Sequence, residues 1–298
     1  MIMKNMSGYG KHDIKINNDK CTGCGQCQKV CIGEIIKVED KKAKIIDFSR
    51  CLECFHCYAI CPEQAISIDG FEPDIDKGIS ELLSSKRSCR HYKDEKLTRE
   101  VIEKLLKNAQ YAPSACNLRR NMYYVIDEKE KIKEMEELCV ASFLKFSFLF
   151  RKPLNLIKNL LPAKMKKGYI MAENFMSDLK EAKKKGSNKI FRGAPCIMVI
   201  AGVSDYKFAR DDAIYSLDYA MLKGHEMGLG SCIIGFAQAL SKPLGKYLKI
   251  PKGFKIYAVA IFGYPAVDYK RGVPAKRTVK RDAKKHERAR CVDSSKEL

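Results

Sequence analysis

Two runs of cysteine constrain this chain more than any other feature. Cys21, Cys24, Cys27 and Cys31 read C-x2-C-x2-C-x3-C, and Cys51, Cys54, Cys57 and Cys61 repeat the pattern with Pro62 after it. Thiolates at this spacing hold cubic iron–sulfur clusters, which pass electrons singly. Structural zinc takes four ligands per ion, commonly as two C-x2-C pairs, and two runs of four thiols exceed that need. Disulfides need an oxidising compartment, and the N-terminal stretch MIMKNMSGYGKHDIK carries no apolar signal core. Two [4Fe–4S] clusters are therefore expected, in a cytoplasmic protein. Ile32 follows Cys31 where Pro62 follows Cys61, but neither residue is a ligand.

The runs belong to an internal duplication. Cys21 matches Cys51, Ile36 matches Ile66 and Val38 matches Ile68, at an offset of 30 residues. Each half reads as a cysteine loop, a short helix and a strand, with a turn at Asp40 before a strand over 43–46. Clusters replace much of the core that so small a unit lacks. A hinge at Gly70-Phe71-Glu72-Pro73 divides residues 1–75 from a second domain over 76–298.

The chain as a whole is 46% apolar, enough for a real core in the second domain, and has no apolar run of membrane-span length. Helical signals begin near Gly78. A second helix opens at Thr98 as N-cap, with Leu97 placed to staple onto Ile102. Strands are expected over 122–126, 196–201 and 255–262, and a long helix over 211–227. Alternating helices and strands give an α/β or α+β domain. Residues 143–169 interleave aromatics and leucines with lysines around Pro153 and Pro162. That composition suits a helical lid or a dimer contact better than a membrane-surface helix.

The formal net charge is +20. Two oxidised clusters with their thiolates, roughly −2 each, would bring it to about +16. Ten Lys/Arg against two acids lie between Lys270 and Arg290. No nucleic-acid module accompanies them, so a solvated arm is expected. His56, between two cysteines, is expected to be exposed. Cys116 and Cys232 read as ordinary small thiols.

Four further segments make chemical sense together. Ser85-Lys86-Arg87-Ser88-Cys89-Arg90 puts three cations and two hydroxyls within six residues, and guanidinium forks and hydroxyls suit a phosphate or ring carbonyl. Pro113-Ser114-Ala115-Cys116-Asn117 is a polar turn after a helix. Gly228 to Gly235 is a small-residue stretch that lets backbone approach a ligand. Lys276 and Arg277 follow the last strand.

In order and spacing these pieces resemble the FMN-dependent nitroreductase family: Arg87 to Tyr92, Ala112 to Asn117, Gly193 to Pro195, Gly228 to Gly235 and Phe262 to Pro265. The resemblance covers roughly 78–280, while residues 12–69 resemble two-cluster ferredoxins. The whole resembles ferredoxin–nitroreductase fusions. The ferredoxin likeness implies crossed ligand sets, Cys21, Cys24 and Cys27 with Cys61, and Cys51, Cys54 and Cys57 with Cys31.

The nitroreductase likeness implies an α+β sandwich with a central mixed sheet flanked by helices, and a homodimer. It assigns Lys86, Arg87 and Ser88 to the FMN phosphate and ribityl chain, and Arg90 to the flavin pyrimidine as the catalytic cation. Pro113, Ser114, Ala115 and Asn117 would contact the isoalloxazine. Ile234 and Gly235 would lie near N5 and O4, and Lys276 and Arg277 would hold phosphate. Arg119-Arg120 stands where the family often has Gln-Pro, which alters the pocket rim. The implied activity passes electrons from the clusters to FMN and on to a nitro compound, quinone or activated alkene, with an external ferredoxin or NAD(P)H as donor. The alternatives are an NAD(P)H-dependent FMN reductase exporting electrons through the clusters, and a redox-sensing nucleic-acid-binding protein. No nucleic-acid partner and no membrane span are expected.

Overall fold

The structure, a computed structural model, describes residues 14–51, 54–68, 78–145, 163–185, 189–272, 279–280 and 291–292. The hinge at 70–73 and the pair Lys276 and Arg277 lie outside the described residues, as does most of the 143–169 segment. Two compact units divide the chain: residues 1–87 with 267–298, and residues 88–266. The boundary expected from sequence falls between 75 and 76 and leaves the C-terminal stretch with the second domain.

In the first unit the duplication is visible bond by bond. Strand β1 (Ile14–Ile16) pairs antiparallel with β4 (Ile66–Ile68), and β2 (Ile36–Glu39) forms a hairpin with β3 (Lys42–Ile45). The hairpin turns on Asp40 and Lys41, both at positive φ (51° and 58°), a conformation that Asp tolerates through its short polar side chain. Helix α1 (Gln26–Val30) and helix α2 (His56–Ile60) are each preceded by a left-handed residue, Gly25 and Phe55. Each is followed by an extended cysteine, Cys31 and Cys61. Four residues beyond each, a backbone N–H meets the sulfur: Ile35 to Cys31 Sγ at 3.4 Å and Ala65 to Cys61 Sγ at 3.3 Å.

The second unit is a sheet between two helical layers. Helix α3 (Ile79–Ser85) closes the first unit; helix α4 (Arg99–Gln110) opens the regular structure of the second. Thr98 is its N-cap, its side chain accepting from Val101 N–H at 3.3 Å. Strand β5 (Met122–Ile126), helix α5 (Lys129–Leu144) and helix α6 (Ala163–Lys185) follow. Then come β6 (Cys196–Val203), α7 (Ala209–Glu226), β7 (Gly230–Ile233), α8 (Gly235–Ala239), α9 (Ser241–Tyr247) and β8 (Phe254–Gly263). A short antiparallel pair, β9 (Val279–Lys280) with β10 (Cys291–Val292), lies near the C-terminus.

The sheet order is β5-β6-β8-β7, and all three pairings are antiparallel. The mixed sheet expected from the resemblance is antiparallel throughout its four described strands, and among the described residues a parallel pairing occurs at the isolated bridge from Ser88 to Ser231. Strand β6 is buried on both faces, and its alternation splits the core. Ile197 and Val199 join Met135, Cys139, Leu179 and Phe191 on one face. Cys196, Met198 and Ile200 join Leu105, Ala109, Leu217 and Ala220 of α4 and α7 on the other. A bulge between Ile200 and Ala201 skips Tyr257, so Ile256 and Ala258 of β8 face opposite layers. No helix among the described residues is long and apolar enough to cross a membrane.

Candidate cluster cavities and flavin site

The two cysteine runs exchange their last members. One cavity is lined by Cys21, Cys24, Cys27 and Cys61. The other is lined by Cys31, Cys51, Cys54 and Cys57. The crossing follows from the helices: α1 and α2 each carry the third cysteine of a run inside and deliver the fourth at the far end. The remaining lining is largely apolar, including Ile16, Ala43 and Ile66 around the first and Ile14, Ile35 and Phe55 around the second.

Among the described residues no three His, Cys, Asp or Glu side chains close on a position for a single metal ion. Four thiols at each of two sites, all eight drawn from C-x2-C-x2-C-x3-C runs, suit a polynuclear guest better than a zinc ion. Burial pushes the Cys27 thiol up to about 11 and the Cys57 thiol up to about 12, with neighbouring cysteine charges adding to it. Without metal these thiols stay protonated, so loading the cavities releases protons.

The loops around the cavities are fixed by groups that spacing alone did not single out. Gly23 has φ +71°, and a Cβ there would sit 2.3 Å from the Lys41 carbonyl oxygen. Lys42 Nζ donates to the carbonyls of Asn18 (2.6 Å) and Cys21 (2.7 Å), tying the first loop to the hairpin. Ala43 N–H reaches Cys21 Sγ at 3.4 Å. His56, expected at the surface, is instead 6% exposed. Its Nδ1 lies 3.2 Å from the Cys54 carbonyl oxygen, and its ring packs edge-on against Tyr269. The burying partner is more than 200 residues away in sequence, beyond any local signal.

In the second unit, Ser88 and Arg90 lie in a strand-like stretch beside β7. Cys89 N–H donates to the Ser231 carbonyl at 2.9 Å, and Arg90 Nη1 donates to the Ser88 carbonyl at 3.1 Å. Gly230 permits this: a Cβ there would lie 2.6 Å from the Cys89 side chain. Lys86 and Arg87, the other members of that segment, end the first unit. Arg87 Nη2 donates to the Ser84 carbonyl at 3.2 Å.

The turn Pro113–Asn117 is exposed at Pro113, Cys116 and Asn117, and Cys116 and Asn117 both have positive φ (52° and 53°). Asp212, in the first turn of α7 and 3% exposed, holds it by accepting from Ala115 N–H at 3.0 Å. Tyr206 donates its hydroxyl to the Ala115 carbonyl at 3.1 Å. Arg119 Nε donates to Asn117 Oδ1 at 3.0 Å, and Arg120 lies over the Tyr206 ring.

Ile234 N–H is committed to the Val259 carbonyl at 2.9 Å. Gly235, by contrast, opens onto space: a Cβ there would meet nothing within 4 Å. Phe236 follows, 48% exposed, and stacks on Phe175 with centroids 4.0 Å apart; Phe143 meets both edge-on.

One cation was missed. Arg192, at φ 58° before β6, is accessible at the surface while its neighbours desolvate part of it. That desolvation first, and the like charge of Arg90 second, lower its guanidinium pKa. The approach to it is pinned by Glu136, 5% exposed, whose carboxylate accepts N–H bonds from Lys189, Ile190 and Phe191 at 2.8 Å each. Glu136 and Asp178 act against that lowering, and two cations that feel each other's charge suit an anionic ligand. The available signal was its place directly before Gly193-Ala194-Pro195.

Two four-thiol cavities and a helix–sheet–helix unit define a protein of the α+β class with two candidate iron–sulfur sites. Residues 83–264 match the nitroreductase family model and residues 13–62 the 4Fe-4S dicluster domain model. The first match covers more than half the chain, which belongs to the nitroreductase family and carries a 4Fe-4S dicluster domain at its N-terminal side.

The protein named FMN reductase (NAD(P)H) in Bacillus subtilis (strain 168) is 25% identical over 184 residues, 62% of this chain and 64% of that protein. An uncharacterized ferredoxin of Methanocaldococcus jannaschii is 36% identical over 64 residues, 20% of this chain and 83% of that protein. A solved nitroreductase with bound FMN from Desulfitobacterium hafniense DCB-2 superposes with a TM-score of 0.50 at 20% identity, over 67% of this chain and 95% of that one. That likeness establishes the fold. The chain spans less than two thirds of several curated relatives, 64% of the FMN reductase and 24% of another Methanocaldococcus jannaschii protein among them.

Proposed function

We propose that this chain is an FMN-dependent oxidoreductase that takes in electrons singly through two [4Fe–4S] clusters and delivers them in pairs to a nitro compound, quinone or activated alkene. The observation that carries the reading is the crossed lining of two cavities by four cysteines each, in one chain with a nitroreductase-family domain. The clusters, when bound, supply one-electron transfer, and FMN, when bound, supplies the exchange between single electrons and pairs. Covalent linkage of the two domains keeps donor and acceptor at high effective concentration.

The chain's own residues then have distinct roles. Cys21, Cys24, Cys27 and Cys61 ligate one cluster, and Cys31, Cys51, Cys54 and Cys57 the other. Arg90 supplies positive charge at the flavin pyrimidine edge, with Arg192 beside it. Lys86 and Ser88, together with Lys276 and Arg277, bind the phosphate end through charge-assisted bonds. Pro113, Ser114, Ala115 and Asn117 border the ring, and Ile234 and Gly235 form its floor. Gly235 fits that role because its open side leaves room for a planar ligand. The working unit is a homodimer in the cytoplasm, and an acidic ferredoxin is a suitable donor for so basic a protein.

A second reading reverses the flow, with NAD(P)H reducing FMN and the clusters exporting electrons. Similarity to the protein named FMN reductase (NAD(P)H) favours it. Both readings need Arg90. Arg90→Gln is expected to weaken FMN binding about tenfold or more, the loss of one charge-assisted contact, measured by flavin fluorescence titration of stripped protein. Unchanged FMN affinity together with unchanged acceptor reduction would overturn the assignment.

A further inference from the structure

The described residues leave two buried side-chain polar atoms without a hydrogen-bond partner, and both are arginine Nε: Arg87 and Arg271. Both residues belong to the first unit. Arg271 sits on a C-terminal strap that packs on α2. Lys270 N–H donates to the Ala59 carbonyl at 2.7 Å. The Arg271 guanidinium lies over the Tyr58 ring, 3.6 Å from its centroid, and its Nη2 donates to the carbonyls of Tyr58 (2.6 Å) and Ile66 (3.3 Å). Tyr58 adjoins Cys57, which lines the second cavity, and Ile66 lines the first. Tyr269, two residues before Arg271, packs on His56 of the second cavity's wall. Arg87 is half-buried among Ser84, Tyr269 and Cys54.

Neither arginine is paired with a carboxylate among the described residues. A desolvated cation without a counter-charge is costly, and natural proteins seldom keep one. Carbonyl dipoles and an aromatic face offset part of that cost. The negative charge close at hand is the one the cysteine cavities would hold, about −2 for each oxidised cluster with its thiolates. Reduction adds one electron to that charge, with no bond made or broken. A fixed cation stabilises the more negative form, so it raises the reduction potential.

We propose that Arg87 and Arg271 are potential-setting residues of the cluster domain: two half-buried cations, each with a buried Nε and no carboxylate partner among the described residues, that bias both clusters toward the reduced state, with Arg87 acting chiefly on the cluster of Cys31, Cys51, Cys54 and Cys57. This rests on the cluster reading above. It also gives the strap at 267–272 a purpose, since the polypeptide beyond the nitroreductase domain returns to tune the electron entry.

The test is an anaerobic redox titration of the full-length protein followed by the electron paramagnetic resonance of the reduced clusters, with iron, sulfide and FMN measured on every variant. R271Q is expected to lower the reduced-to-oxidised ratio at a fixed potential about tenfold, equal to about 59 mV for one electron. R271K keeps the charge and is expected to stay within about threefold of wild type. R87Q is expected to shift one cluster's signal more than the other's.

Wild-type potentials in iron-replete R271Q and R87Q would overturn the proposal, as would an R271K shift equal to that of R271Q. Iron loss in R271Q would make Arg271 a structural clamp and overturn its part, leaving R87Q to decide the other. FMN loss in R87Q with unmoved cluster potentials would assign Arg87 to the flavin phosphate instead. A wild-type protein lacking cluster iron after anaerobic reconstitution would instead sink the cluster reading itself.

Discussion

At the scale of single residues, the distance along the chain to a residue's partners decided what could be read. The eight cysteines were legible because cluster ligation needs thiols at short fixed intervals, and their crossed grouping around two cavities agrees with that reading. Asp212, Arg192 and Arg271 were not legible. Asp212 meets Ala115 across 97 residues, and Arg271 meets Tyr58 across 213. Nothing local marks a carboxylate that fixes a distant turn or a cation that covers a distant helix. The crossing makes a sharp prediction. Cys61→Ala is expected to lose the cluster of the first run and keep that of the second, and Cys31→Ala the reverse. Iron and sulfide analysis should then fall from about eight of each to about four in either variant. Loss of the same-run cluster, Cys61→Ala emptying the Cys51, Cys54 and Cys57 site, would break the assignment.

At the scale of elements, local chemistry carried far. Thr98 caps α4 as its side-chain chemistry predicts, and β5 runs over the anticipated Met122–Ile126. The strands β6 and β8 extend one to two residues beyond their expected ends because sheet pairing continues past the apolar run. The bulge at Ile200 and Ala201 was not legible, since it is a property of two strands in register. The elements also bury thiols that have no part in metal binding. Cys139 on α5 and Cys196 on β6 are fully buried, and burial pushes both up to about 12 from an ordinary 9.0. A raised folded-state value means that the neutral thiol stabilises the fold at neutral pH. That contribution is lost as pH climbs from about 9 toward 12, where the unfolded chain releases the protons first. The second unit is therefore expected to lose stability steadily over that window in denaturant titrations. Cys139→Ala with Cys196→Ala should flatten the slope while lowering stability at pH 7 through lost packing. An unchanged slope would show that other groups control the alkaline limb.

At the scale of the whole molecule, the cysteine runs and the resemblance to two families pointed to a 4Fe-4S dicluster part and a nitroreductase-family part. They did not convey that residues 267–272 return to the cluster unit, because the basic run there reads as a solvated arm when its partners are unknown. The central claim is that electrons enter through the clusters. The measurement that tests it most directly is anaerobic stopped-flow reduction of a nitroaromatic or quinone by the FMN-loaded protein, with reduced ferredoxin as donor. Wild type is compared with the Cys24→Ala and Cys54→Ala double variant, which keeps FMN and loses its clusters. The account predicts that the variant's turnover with that donor is abolished, and that the wild-type rate falls as added salt screens the basic surface. A cluster-free variant that reduces the acceptor as fast as wild type would contradict it, and would move NAD(P)H-driven flow, with the clusters as exit, into first place.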